Sequence, residues 1–156
     1  MDQQFMDQMG SPYLIAHGMG IPVQDASTVV EITDPGVYHV WVRSYNWTSP
    51  WTEAVGPGAF RVKINGKPLK SILGTAKDHW YWQYAGNTKL KTGSCVLALS
   101  DMTGFDGRCD AVWLSKDVGN VPPADKDALE AFRRQVGALP VNPSDGGGYD
   151  FVVIGG

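Results

Sequence analysis

The sequence predicts a mainly β protein, a jelly-roll-like antiparallel β-sandwich followed by one C-terminal α-helix. Three observations lead there. Short β-branched or alternating runs recur along the first three quarters of the chain, separated by turn signals. Nineteen glycines and ten prolines among 156 residues exceed ordinary usage, and thirteen aspartates stand against three glutamates, a bias toward turn and cap residues. Six tryptophans and six tyrosines add aromatic bulk that favours strands.

The elements follow in order. Residues 1–27 have no clean period, although 13–16 fit one short strand. Residues 28–33 (Thr28-Val29-Val30-Glu31-Ile32-Thr33) are β-branched and predict a strand. Asp34-Pro35-Gly36 is a turn, because proline presets φ and glycine tolerates positive φ. Residues 37–45 form the clearest strand, with Tyr38, Val40, Val42 and Ser44 on one face and His39, Trp41 and Arg43 on the other. Residues 46–58 read as a loop. Residues 60–64 alternate strictly, and Asn65-Gly66 is a strong hairpin signal into a return strand at 67–69. Further strands are expected at 79–84, 89–91, 95–99 and 110–114, with 101–109 a polar loop. Pro122-Pro123 ends the β pattern. A helix is expected over 125–138, stopped by Pro140, with Leu129, Phe132, Val136 and Leu139 on the face that packs on the sandwich or a partner.

Charge and hydropathy exclude some classes. A net charge of -3 and a pI near 5.5 argue against a nucleic-acid partner. No apolar run approaches the length of a membrane span, so no membrane partner is expected. The opening Met1-Asp2-Gln3-Gln4 has neither a basic nor an apolar leader region, so no signal peptide is expected. Cys95 and Cys109 are too isolated from other ligand residues for a zinc motif; a disulfide and two buried thiols both stay open.

The last residues, Tyr149-Asp150-Phe151-Val152-Val153-Ile154-Gly155-Gly156, have the form of the first strand of a dinucleotide-binding unit. The third glycine, the phosphate-binding helix and the ribose-binding acid do not follow, so this segment is not expected to bind a cofactor by itself. The organisation expected is a sandwich module over 1–118, a helix and linker over 119–148, and a truncated flavin or nicotinamide domain over 149–156. The alternative for the last segment is an ordinary strand with a glycine tail.

Four stretches resemble the N-terminal region of a bacterial family of FAD-dependent oxidoreductases. They are Phe5-Met6-Asp7-Gln8-Met9-Gly10-Ser11-Pro12-Tyr13-Leu14, Val40-Trp41-Val42-Arg43, Thr103-Gly104-Phe105-Asp106-Gly107-Arg108-Cys109-Asp110-Ala111 and Ala131-Phe132-Arg133-Arg134. In that family a β-sandwich module precedes the flavin domain. The module is similar to the carbohydrate-binding-like domain of golvesin and xanthan lyases, among the galactose-binding-like jelly rolls. The resemblance implies an accessory module whose parent binds FAD through a domain missing here, and whose family is exported to the periplasm or beyond. The family's usual Glu-rich first strand and export signal are absent from this sequence.

The three histidines, His17, His39 and His79, have neither a nucleophile elbow nor a metal-ligand partner nearby in sequence, so no catalytic residue, metal or bound cofactor is expected. A glycan ligand suits the residues better. Sugars offer apolar C–H faces, which aromatic rings cover, and hydroxyl rims, which amides, carboxylates and guanidinium groups bind. Trp47 and Trp51 share one loop with Asn46, Thr48, Ser49 and Glu53, so Trp47 and Trp51 are the expected platforms, with Arg43 and Asn46 the nearest polar contacts. Structural plugging is the competing role for that tryptophan pair, and core packing is the expected role for Trp80, Trp82 and Trp113. The carboxylates of the 101–110 loop could gather around Ca²⁺, or cap a tight loop with Arg108 paired to one of them. A last alternative is a structural domain that docks on its flavin partner. An open cleft beside Trp47 and Trp51 would favour sugar binding, and a flat apolar patch would favour docking.

Overall fold

A computed structural model describes residues 12–138. Eight strands and one helix follow in order: β1 (Leu14–His17), β2 (Ala26–Ile32), β3 (Gly36–Ser44), β4 (Phe60–Ile64), β5 (Lys67–Pro68), β6 (Tyr81–Leu90), β7 (Gly93–Asp101), β8 (Phe105–Ser115) and α1 (Lys126–Gln135). The strands form two antiparallel four-stranded sheets, ordered β1-β8-β3-β6 and β2-β7-β4-β5. This is the expected sandwich with a C-terminal helix.

The alternation of β3 decides which side is core. Val40 and Val42 face inward and meet Phe60, Val62 and Ile64 of β4 and Cys95 and Leu97 of β7. The hairpin at Asn65-Gly66 has both residues at positive φ, 49° and 78°, the backbone that a two-residue turn between twisted strands requires. Two expectations are corrected in extent. The strands expected at 79–84 and 89–91 merge into one ten-residue strand, β6, over Tyr81–Leu90, with an irregularity opposite Val40 and Trp41 that leaves Ala85 as the extra residue. Strand β8 starts at Phe105, inside the stretch expected to be loop. A second irregularity, where β8 faces Arg43 and Ser44, lets Cys109, Val112 and Leu114 all reach the core despite their mixed parity.

The outer face of the β1-β8-β3-β6 sheet carries α1. Asp125 caps the helix, its carboxylate accepting from the N–H groups of Asp127 and Ala128. Docking is largely electrostatic. The buried Asp110 carboxylate accepts from Arg43 Nη1 at 2.8 Å and from Arg133 Nη2 at 2.7 Å, and Arg43 Nη2 also donates to the Ala124 carbonyl at 3.2 Å. Phe132 meets Trp113 edge-on with centroids 5.2 Å apart. The indoles of Trp82 and Trp113 donate to the carbonyls of Pro123 and Asn120. The expected apolar stripe is therefore corrected. Leu129 is buried, Phe132 is half-buried, Val136 is 46% exposed, and Arg133 is buried in its place. Leu139, and the segment 139–156 with its glycine pair, lie outside the described residues.

Both cysteines are free thiols. Cys95 pairs with Val30 near the β6–β7 turn, whereas Cys109 faces Leu14 and Ser44 at the opposite end of the sheets. Burial pushes both thiols above their ordinary 9.0, and the Asp110 charge adds to the rise at Cys109.

Two outcomes are expected. Asp110→Ala leaves two buried arginines without their shared carboxylate and should cost about 3–5 kcal/mol in urea denaturation; a loss below ~1 kcal/mol would show that the helix docks without it. In the unfolded chain the thiol of Cys109 ionises near its ordinary value, while in the folded chain it stays protonated. Its contribution is therefore complete below about pH 9 and declines above it, by up to ~1.4 kcal/mol per pH unit. Urea curves from about pH 8 to about pH 10 should show this decline, and a smaller one in Cys109→Ala.

Candidate ligand-binding site

Strand β3 delivers the chain into the 46–55 loop at one end of the sandwich. Asn46 turns the chain there: its Oδ1 accepts from the N–H of Thr48 at 3.2 Å and from Thr48 Oγ1 at 2.8 Å. The carbonyl of Thr48 then accepts from the N–H groups of Trp51 and Thr52 at 2.9 and 3.0 Å, winding one tight turn. Gly56 packs directly on the Asn46 side chain, where a Cβ would fall 1.8 Å from Oδ1. That close approach fixes the far end of the loop. The N–H of Gly56 also donates to the Thr75 carbonyl at 3.0 Å, tying this loop to the segment that precedes β6.

The tryptophans differ in role. Trp51 is 70% exposed. Trp47 is half-buried against Tyr13, Tyr45 and Trp80, a second core cluster separate from the aliphatic one. The two rings meet edge-on, with centroids 6.1 Å apart and planes at 70°. The indole N–H of Trp47 donates to the Phe105 carbonyl at 2.8 Å, and the Arg108 guanidinium lies 5.4 Å from its centroid.

An open polar groove of about 460 Å³ runs between the 46–55 loop and residues 75–78. Thr52, Glu53, Thr75, Lys77 and Asp78 contribute to its lining. Lys77 adopts a left-handed φ of 64° and sets its ammonium 5.1 Å from the Tyr81 centroid. Asp78 lies 2.8 Å from His79 Nδ1, and that hydrogen bond holds its carboxyl below the usual carboxylate range. The arrangement joins an apolar surface to a rim of hydroxyl, carboxylate and ammonium groups, the pairing a polyhydroxylated ring needs.

The expected site residues separate accordingly. Trp47 and Trp51 lie together on the 46–55 loop, and neither lines the groove. Arg43 does not join them: it is 2% exposed and bound to Asp110 and Ala124 on the helix-bearing face. Asn46 lines the groove, but it is only 3% exposed and its side-chain oxygen accepts within the turn, so its main part is to shape the loop. Trp80 is buried, and Trp82 and Trp113 lie partly covered beneath the 119–124 segment. Sequence reading missed Thr75, Lys77 and Asp78. No local pattern marks them, because long-range ties, the Phe60–Leu73 bridge and the Gly56–Thr75 bond, bring that segment alongside.

The histidines are engaged separately. His17 lies 2.6 Å from Asp106, His39 2.8 Å from the Tyr84 hydroxyl, and His79 beside Asp78. In the 101–110 loop, Asp101 accepts from the N–H groups of Val23, Thr103 and Gly104, while Asp106 faces His17 and Asp110 faces the arginines. Among the described residues no cluster of three His, Cys, Asp or Glu side chains is arranged to hold a metal.

The sequence matches no protein-family model and no curated protein. Its fold is similar to solved carbohydrate-binding modules. A family 35 carbohydrate binding module from an environmental isolate superposes with a TM-score of 0.57 at 14% identity, over 75% of this chain and 82% of that one. CBM35 from Cellvibrio japonicus Abf62 gives 0.57 at 17%, over 76% and 83%. A family 35 carbohydrate binding module from Clostridium thermocellum gives 0.52 at 18%, over 70% and 82%. At these identities the likeness is one of fold.

The unequal burial of the two rings gives a direct test. Trp51→Ala should leave the melting temperature within a degree or two of wild type, since it removes an exposed side chain. Trp47→Ala should cost about 1–3 kcal/mol, through a lost cation–π contact and an unpartnered Phe105 carbonyl. Equal melting temperatures for both variants would contradict this division.

Proposed function

We propose that this chain is a non-catalytic carbohydrate-binding module that holds a glycan at the edge formed by the 46–55 loop. The observation that carries the reading is Trp51, an exposed aromatic ring standing edge-on to Trp47 on the loop that also forms one wall of a polar groove. Surface tryptophans fixed by a rigid turn suit the apolar face of a sugar, and the groove residues suit its hydroxyls. The shared fold with carbohydrate-binding modules supports the same reading.

The proposal extends to context. The motif resemblance supports an FAD-dependent oxidoreductase as parent, with this module appended and the whole exported. The described residues do not fit the pyrophosphate of FAD, because the N-terminus of α1 is already filled by the Asp125 carboxylate. The flavin would thus belong to a domain outside them.

A second reading, a structural docking domain, is favoured by one observation. Met19 and Ile21, on the segment after β1, and Phe105, at the start of β8, are exposed apolar side chains, with Gly20 packed on the Phe105 ring.

A panel of soluble hexoses, pentoses, uronic acids and their short oligomers, titrated by calorimetry into the millimolar range, separates the two. A millimolar Kd corresponds to only about -4.1 kcal/mol, so lower concentrations would miss it. At least one sugar should bind the wild type, and Trp51→Ala should weaken it about tenfold or more. Absence of binding across the panel would sink the glycan reading in favour of docking. Binding unchanged in Trp51→Ala would move the site away from this loop.

A further inference from the structure

Trp47 is held from two directions. Its indole N–H is tied to the Phe105 carbonyl at 2.8 Å. Its ring lies under the guanidinium of Arg108, 5.4 Å from the centroid. The same guanidinium lies 6.0 Å from the Tyr13 centroid, and Arg108 Nη1 donates to the Asp106 carbonyl at 3.3 Å. Arg108 is buried, and so is Tyr13, which packs on Trp80 at 5.0 Å. A desolvated cation over an aromatic face is attracted more strongly than one in water, and two rings share this one.

We propose that Arg108 is a positioning residue for the glycan platform. Its charge, held between Tyr13 and Trp47, sets the plane of the Trp47 indole and hence the 70° corner that Trp47 makes with Trp51. The proposal rests on the reading of this loop as a glycan site. Its consequence is a division of labour. Trp47 spends a ring face on the cation, and Trp51 offers the open face on which a sugar can stack.

The test uses the full chain and follows exchange of the indole N–H protons with water by NMR. Trp82 and Trp113 serve as internal references, since their indoles bond to carbonyls of the 119–124 segment. In Arg108→Met, which keeps length and removes charge, the Trp47 proton should exchange about tenfold faster while the other two hold their rates. Arg108→Lys, which restores a cation, should stay within about threefold of wild type. An unchanged Trp47 rate in Arg108→Met overturns the proposal. So does equal acceleration of all three indoles, which would make Arg108 a support of the whole core. If Arg108→Met does not fold, site-specific replacement of Trp47 by a ring-fluorinated tryptophan keeps shape and N–H while draining the ring quadrupole. Exchange faster than the fluorinated indole's own intrinsic acceleration, measured on the free amino acid, then supports the proposal, and an unchanged protection factor overturns it.

The same variants titrated with the sugar panel distinguish this proposal from the reading beneath it. Arg108→Met should lose about tenfold in affinity for any panel sugar that the wild type binds, and Arg108→Lys should recover most of it. A wild type that binds no sugar, while Trp47 exchange responds as expected, overturns the glycan reading and leaves the positioning of Trp47 standing. Sugar affinity unchanged in Arg108→Met overturns the role at the platform.

Discussion

One buried carboxylate sets the arrangement of the helix-bearing face. Asp110 has no solvent contact in its side chain, and a lone charge there would cost several kcal/mol. Arg43 reaches it from the central strand β3 and Arg133 from α1. Arg43 also grips the Ala124 carbonyl just ahead of the helix cap, so one guanidinium joins sheet, connecting segment and helix. The position of α1 follows from this charge pairing more than from its apolar stripe. With Arg133 drawn to Asp110, Leu129 packs inward, and Val136 at the end of the same stripe is left half in water. An apolar interface tolerates sliding, whereas a shared carboxylate between two arginines has one geometry.

From Arg43 the same logic passes to the ligand end. Its guanidinium stands 5.9 Å from the Trp80 centroid; Trp80 stacks with Tyr45 and packs on Tyr13; Tyr13 in turn lies beneath Arg108. Two arginines thus bracket an aromatic cluster from opposite sides. The sandwich divides its core by chemistry. Mainly aliphatic side chains, with Phe60 among them, fill the space between the sheets, where area burial is the chief requirement. Aromatic and cationic side chains fill the end next to the 46–55 loop, where directional contacts can fix a ring plane. A loop hung on such a cluster inherits its rigidity.

What the sequence disclosed depended on how local the signal was. The β3 alternation, the Asn65-Gly66 turn and the strict pattern of 60–64 each lie within a few residues, and each is present where expected. The continuity of β6 was hidden because Gly86 and Asn87 read as a break, while pairing with β3 carries the strand through them. The start of β8 was hidden because Phe105 to Cys109 look like loop until β1 and β3 pair with them. Arg43 was misread for a related reason. Its place on the His39 and Trp41 face was right, but nothing local shows that Asp110 and Arg133 close over that face. Trp47 and Trp51 were legible as a pair because they share one loop. The facing wall of Lys77 and Asp78 was not, since pairings distant in sequence, Phe60 with Leu73 and Gly56 with Thr75, bring it there.

The same distinction bears on how such a platform can work. A sandwich needs only alternation, turns and a filled interior, conditions that many sequences satisfy, which is why the fold is shared with modules at 14–18% identity. Recognition by one exposed ring is a harder condition. Trp51 can contribute only the apolar area it buries, so the cost of ordering its loop on binding would consume much of the gain. Here that ordering is already complete in the folded chain. The Asn46 turn, the Gly56 contact that excludes a Cβ, and the doubly held Trp47 fix the loop before any ligand arrives. The buried polar and aromatic residues around the loop, which offer no surface to a sugar, are therefore what would allow a small exposed surface to bind one, as proposed above.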